Sequence, residues 1–208
     1  MYIHSMSLGE LGTNCYIVYD ENNALIVDPG GDPEKVIVFL ESQNVKPQAI
    51  LLTHAHFDHI GGVDTLRKHF NIDVYLHENE AEWLGEPSLN RSTAFTRKEI
   101  KTGRPDHFLE PGKMNLSTFK FDVIHTPGHS PGSVSFIFTD EAFIISGDVL
   151  FQQGIGRTDL PGGSMEQLEK SIRQSLYSLE DTFIVYPGHG SYTTIGAEKR
   201  NNPFVPAE

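Results

Sequence analysis

The stretch Thr53-His54-Ala55-His56-Phe57-Asp58-His59 decides how this chain is read. Four metal-competent side chains, three imidazoles and a carboxylate, fall within six positions directly after the apolar run 49–53. In an extended or loop segment alternate residues point the same way, so His54 and His56 can converge on one ion. Asp58 and His59 can then face a second ion beside it. Imidazole plus carboxylate without thiolate suits zinc, iron or manganese. Burying such a group without an ion would leave many polar atoms needing partners. Metal binding is therefore the expectation.

Three further candidates recur in similar settings. His129 lies in Thr126-Pro127-Gly128-His129, after an apolar run ending at His125. Asp148 lies in Ser146-Gly147-Asp148 after the run 142–145, and His189 in Pro187-Gly188-His189 after the run 183–186. Each time a buried strand ends and glycine lets the backbone turn, presenting one ligand at a sheet edge. His125 falls within its strand and is not expected to ligate. His4, His69, His77 and His107 read as ordinary surface or core histidines.

The periodicity around these loops gives a mixed α/β chain. Strands are expected over 14–19, 24–28, 49–53, 73–76, 119–125, 133–139, 142–145 and 183–186. Helices are expected over 33–43, from Gly61-Gly62 to Phe70, and over 167–179. Residues 85–110 lose the pattern and read as a long surface excursion that could wall a substrate cleft, with Arg91, Arg97, Lys98, Lys101 and Arg104. The last residues read as a polar tail. No linker divides the chain, so a single domain over 1–208 is expected.

Composition narrows the function. Sixteen Lys+Arg against 28 Asp+Glu give a formal charge of −12. Such a field disfavours wrapping nucleic acid or docking on an anionic membrane. The lone cysteine, Cys15, excludes an intramolecular disulfide and reads as a small packed residue. No apolar run approaches a membrane span and the N-terminus lacks a secretory pattern, so a cytoplasmic location is expected.

Thr-His-x-His-x-Asp-His followed by a Gly-His, a Gly-Asp and a final Gly-His resembles the metallo-β-lactamase superfamily, over essentially the whole chain. Phe151-Gln152-Gln153-Gly154-Ile155-Gly156-Arg157-Thr158-Asp159-Leu160 and Asn201-Asn202-Pro203-Phe204 resemble its small glyoxalase II-like hydrolases. The resemblance implies an αββα four-layer sandwich with metals at the sheet edge. It implies His54, His56 and His129 on one ion, Asp58, His59 and His189 on the other, and Asp148 bridging. Zinc is the first choice, with iron or manganese as alternatives. Asp28 resembles the aspartate that orients the histidine loop; a simple turn-forming role before Pro29 is the other reading. Asp58 and Asp148 are the carboxylates expected to serve catalysis.

The implied reaction is attack on a small acyl thioester, of lactoyl-glutathione or another low-molecular-weight thiol, by a metal-bridging hydroxide. No extra general acid stands in the motifs, which a thiolate leaving group tolerates better than an amine. Two ligand carboxylates and one hydroxide cancel three of the four charges of two divalent ions, so a small anionic substrate remains compatible with the acidic chain. The alternative is a mononuclear-iron persulfide dioxygenase, and a non-catalytic metal protein ranks lower. A class B β-lactamase is disfavoured because cysteine would usually stand where Asp148 does. The C-terminal helical domain with which glyoxalase II enzymes grip glutathione is not expected here. Arg157 is either a contact for a substrate carboxylate or an ion-pair partner of Asp159. The oligomeric state stays open.

Overall fold

Parallel strands need a crossover, and the helices of the N-terminal half supply it. The computed structural model describes residues 1–207. Its contacts fall into two compact units: residues 1–109 with 115–119, and residues 110–114 with those from Lys120 onward.

In the first unit, β1 (Tyr2–Leu8), β2 (Thr13–Tyr19) and β3 (Asn23–Val27) run antiparallel in sequence order. The helix α1 (Pro33–Gln43) then returns the chain to β4 (Lys46–Leu51), parallel to β3. Pro33 sits at the start of α1, where its missing N–H costs nothing, and Asn44 closes the helix in the left-handed region at φ 55°. The chain next forms the short α2 (Phe57–Ile60) and α3 (Val63–Phe70) before β5 (Asp73–Leu76), parallel to β4. A single turn, α4 (Ser92–Phe95), precedes β6 (His107–Phe108), which completes the sheet order β1-β2-β3-β4-β5-β6. Ile17, Ile26, Ile50, Leu52, Val63, Leu66 and Val74 are among the buried side chains of this unit's core.

The second sheet has the order β14-β13-β10-β9-β8-β7. Its strands are β7 (Gly112–Leu116), β8 (Phe119–His125), β9 (Val134–Phe138), β10 (Phe143–Gly147), β13 (Ile184–Pro187) and β14 (Thr193–Thr194). Between β10 and β13 lie the two-stranded hairpin β11 (Leu150–Phe151) and β12 (Gly154–Ile155), then α5 (Met165–Lys170). The last helix is α6 (Ile195–Asn201). Ile144, Leu150, Leu168, Ile172, Leu176, Val185 and Ile195 are buried together. No described helix is long and apolar enough to cross a membrane.

Several local expectations change. The helix expected over 167–179 begins at Met165 and turns π-helical over Ser171–Leu176. The polar tail holds α6, whose Thr194 side chain caps it by accepting from the Ala197 N–H at 3.2 Å. The surface excursion is partly internal: Asn90, Ser92, Thr102 and Leu109 are buried. Asn90 donates through Nδ2 to the carbonyls of Trp83 and Ile100, a side-chain role that composition alone does not reveal.

Candidate metal centre

The histidine loop leaves β4 and is held by its own unit. Asp28 adopts the left-handed region at φ 51°, which is uncommon outside glycine, asparagine and aspartate. Its buried carboxylate accepts the Thr53 N–H at 2.8 Å, the Thr53 hydroxyl at 2.6 Å and the His59 Nδ1–H at 2.9 Å. Because the Thr53 hydroxyl proton goes to Asp28, its oxygen accepts Nδ1–H of His54 at 3.1 Å. Both rings are thereby set in one tautomer, with the acceptor lone pair on Nε2, the atom that could ligate an ion.

The neighbouring candidates are set by packing and by hydrogen bonds. His56 meets His54 edge to face at 4.8 Å, and the Trp83 ring lies 5.7 Å from His56. The Ala55 N–H, between the two histidines, donates to the buried Glu80 at 2.6 Å. The Phe57 N–H donates to the Asn90 carbonyl at 2.9 Å. Asp58 accepts the Thr13 hydroxyl at 2.8 Å and lies 3.6 Å from Nε2 of His59. Gly30 permits the loop's approach: a Cβ there would stand 1.7 Å from the Asp58 carbonyl oxygen.

The second unit builds a matching set. Gly147 of β10 pairs with Pro187 of the parallel β13, so Asp148 and His189 emerge at the same level. Oδ2 of Asp148 lies 3.7 Å from Nε2 of His129 and 3.6 Å from Nε2 of His189. His129 donates Nδ1–H to the Arg157 carbonyl at 2.8 Å, which again reserves Nε2. Two donors each 2.0–2.2 Å from a tetrahedral zinc stand about 3.3–3.6 Å apart. The Asp58–His59 and Asp148–His189 pairs at 3.6 Å match that spacing and the Asp148–His129 pair at 3.7 Å lies just beyond it, so the donor set fits divalent ions.

The remaining candidates take ordinary places. The Arg157 guanidinium binds Asp159 in a two-point ion pair at 2.7 and 2.8 Å, and its hydrogen bonds hold the Asp159 carboxyl down to about 2. A substrate carboxylate at Arg157 would share it with Asp159. His125 binds the Pro131 carbonyl at 2.9 Å. His107 pairs with Asp73, and His4 stacks on Phe39. Cys15 is fully buried, and burial with the Asp28 charge pushes its thiol well up, so it packs and does not react. Sequence reasoning missed Thr13, Glu80 and Asn90. Thr13 sits at a strand start, and Glu80 follows Glu78-Asn79 in a run that reads as solvated.

A family model described as the metallo-beta-lactamase superfamily matches residues 8–189. The chain is 45% identical over 201 residues to the "probable metallo-hydrolase YqgX" of Bacillus subtilis, covering 96% of this chain and 95% of that one. It is 42% identical over 195 residues to the hydroxyacylglutathione hydrolase GloC of Haemophilus influenzae, covering 92% of each. The crystal structure of the BLEG-1 B3 metallo-β-lactamase superposes with a TM-score of 0.96 at 50% identity, covering 98% of this chain and 99% of that one. With its histidine loop, Gly-Asp and two Gly-His turns all carried on the matched segment, the chain belongs to the metallo-β-lactamase superfamily.

Proposed function

We propose that the protein is a metal-dependent hydrolase that cleaves small anionic acyl thioesters. His54, His56, Asp58, His59, His129, Asp148 and His189 hold two divalent ions in this reading, zinc being the first choice. The observation that carries it is Asp148, whose Oδ2 stands at ligand spacing from the Nε2 atoms of both His129 and His189. Bound divalent ions supply a water acidified from about 15.7 toward about 7, hence a nucleophile at neutral pH. The chain's own work is orientation: Asp28 fixes His59, Thr53 fixes His54, and the Arg157 carbonyl fixes His129. The thioester follows from the want of a separate general acid in the motifs, since a thiolate leaves without a proton. The 42% identity to a hydroxyacylglutathione hydrolase supports it.

A second substrate class has its own support. The 50% identity to a B3 metallo-β-lactamase makes a β-lactam the competing substrate, so the missing cysteine does not by itself dismiss it. Metal analysis with paired assays on one preparation tests both. Two metal equivalents with lactoyl-glutathione hydrolysis, abolished in a His54→Ala/Asp58→Ala double variant that still folds, is the expected result. Efficient cephalosporin hydrolysis with no thioester turnover would replace the thioester reading. One iron with oxygen uptake on a persulfide would overturn hydrolysis altogether.

A further inference from the structure

All three ligating loops of the second unit touch one small hairpin. The Arg157 carbonyl, just past β12, takes the His129 Nδ1–H. Gly156 packs so closely that a Cβ would lie 1.9 Å from the Asp148 carbonyl oxygen and 3.1 Å from the His129 Cβ. Phe151 of β11 presents its ring edge-on to His189 at 6.4 Å. A two-stranded hairpin of two residues per strand has little stability of its own. Its turn is also strained, because Gln153 lies in the left-handed region at φ 54°.

The restraint comes from α6 and the residues after it. Glu198 is 1% exposed, and three donors converge on its carboxylate. They are the Gln153 N–H at 2.9 Å, the Thr193 hydroxyl at 2.6 Å and Nδ2 of Asn202 at 2.9 Å. Asn202 also donates through Nδ2 to the Gly154 carbonyl at 3.1 Å, while its Oδ1 accepts the N–H groups of Phe204 and Val205. One helix end therefore grips the hairpin at Gln153 of the turn and at Gly154, where β12 begins. A seven-residue surface helix has no need of a buried carboxylate for its own sake.

We infer that Glu198 and Asn202 are positioning residues for the metal centre, holding β11–β12 against the loops of His129, Asp148 and His189. The inference rests on the metal reading proposed above. Neither residue touches a reacting group. Their effect passes through Gln153 and Gly154 to Gly156 and Arg157, and thence to the ligands.

The test uses cobalt(II) as the bound ion, with visible absorption and retention against a chelator as readouts beside thermal melting. Glu198→Ala should fold, hold cobalt about 10–100-fold less tightly and change the absorption band. Glu198→Gln should stay within two-fold of the parent, because the Thr193 hydroxyl can reverse and accept from the new amide while the other oxygen keeps its contacts to the Gln153 N–H and to Nδ2 of Asn202. If Glu198→Ala fails to fold, Asn202→Asp carries the test. It removes the donor to both Gly154 and Glu198, sets a carboxylate against Glu198 and keeps the acceptor for Phe204 and Val205, so the same loss or a larger one is expected. A folded alanine variant with parental spectrum and retention would overturn the proposal. So would failure of both variants to fold, which would make the segment a general structural support. A parent that takes up no cobalt would instead overturn the metal reading, and the positioning role with it.

Discussion

At Asp28 one carboxylate serves three donors, and the effects of its loss can be separated. Asparagine tolerates the left-handed backbone at φ 51°, so Asp28→Asn tests the hydrogen bonds without the strain a β-branched residue would add. Its amide oxygen can serve only some of the Thr53 and His59 donors, and its NH2 faces the rest. Metal affinity should fall about 10–100-fold while the fold persists, read by chelator competition and circular dichroism. Unchanged affinity would show that the His59 tautomer is set elsewhere. Gly30→Ala tests sterics instead. Its methyl would meet the Asp58 carbonyl oxygen at 1.7 Å, so the loop must move. A loss on the order of 2 kcal/mol or more, visible as a lowered Tm, is expected. The histidine cluster was legible because three imidazoles and a carboxylate in six positions defy any ordinary surface pattern. Thr13 and Glu80 were not, because each acts through a hydrogen bond that only the folded chain brings within reach.

α1 over Pro33–Gln43 and β5 over Asp73–Leu76 were legible from the clear period of their apolar residues, while β4 begins at Lys46, three residues before its expected start. What escaped were elements stabilised by neighbours and not by pattern. β1 is an edge strand of mixed exposure, and β6, β11, β12 and β14 are two residues each. α6 is anchored by the buried Glu198, which reads in sequence as an exposed charge. The π-helical stretch Ser171–Leu176 leads into Tyr177, whose hydroxyl donates to the Val205 carbonyl at 2.9 Å. Burial, with the Glu198 charge, pushes that hydroxyl up to about 12. The unfolded chain releases the same proton near 10, so it binds fewer protons than the native state between about pH 10 and 12. Stability is fully present below pH 10 and declines as pH rises through that window. In Tyr177→Phe this alkaline decline should be shallower, at the expense of about 0.5–1.5 kcal/mol at neutral pH from the lost hydrogen bond. Denaturant titrations at pH 8 and pH 11 check it, and parallel declines in both proteins would refute the assignment.

Over the whole chain the formal charge of −12 and the metal reading bear on each other. An acidic protein repels polyanions, yet in the metal reading two divalent ions would place positive charge beside Asp58 and Asp148. Oδ2 of Asp58 lies 3.6 Å from Nε2 of His59, and Oδ2 of Asp148 lies within 3.7 Å of Nε2 of His129 and of His189. In that reading, each carboxylate and buried imidazole left without its ion stays desolvated at a cost to stability. Removing the ions should therefore lower stability well beyond a generic salt effect. An ion at about a thousand times its Kd contributes about 4 kcal/mol to the native state. In a chain of this size each kcal/mol moves Tm by roughly 2–4 °C. Stripping one such ion with a chelator should lower Tm by about 8–16 °C, and re-adding zinc should restore it, whereas sodium chloride at equal ionic strength should not. Calorimetry on the same sample before stripping, after stripping and after reloading makes the comparison. A Tm that stays within about 2 °C throughout would mean that the seven proposed ligands are held by the scaffold alone, and that metal binding contributes little to the fold.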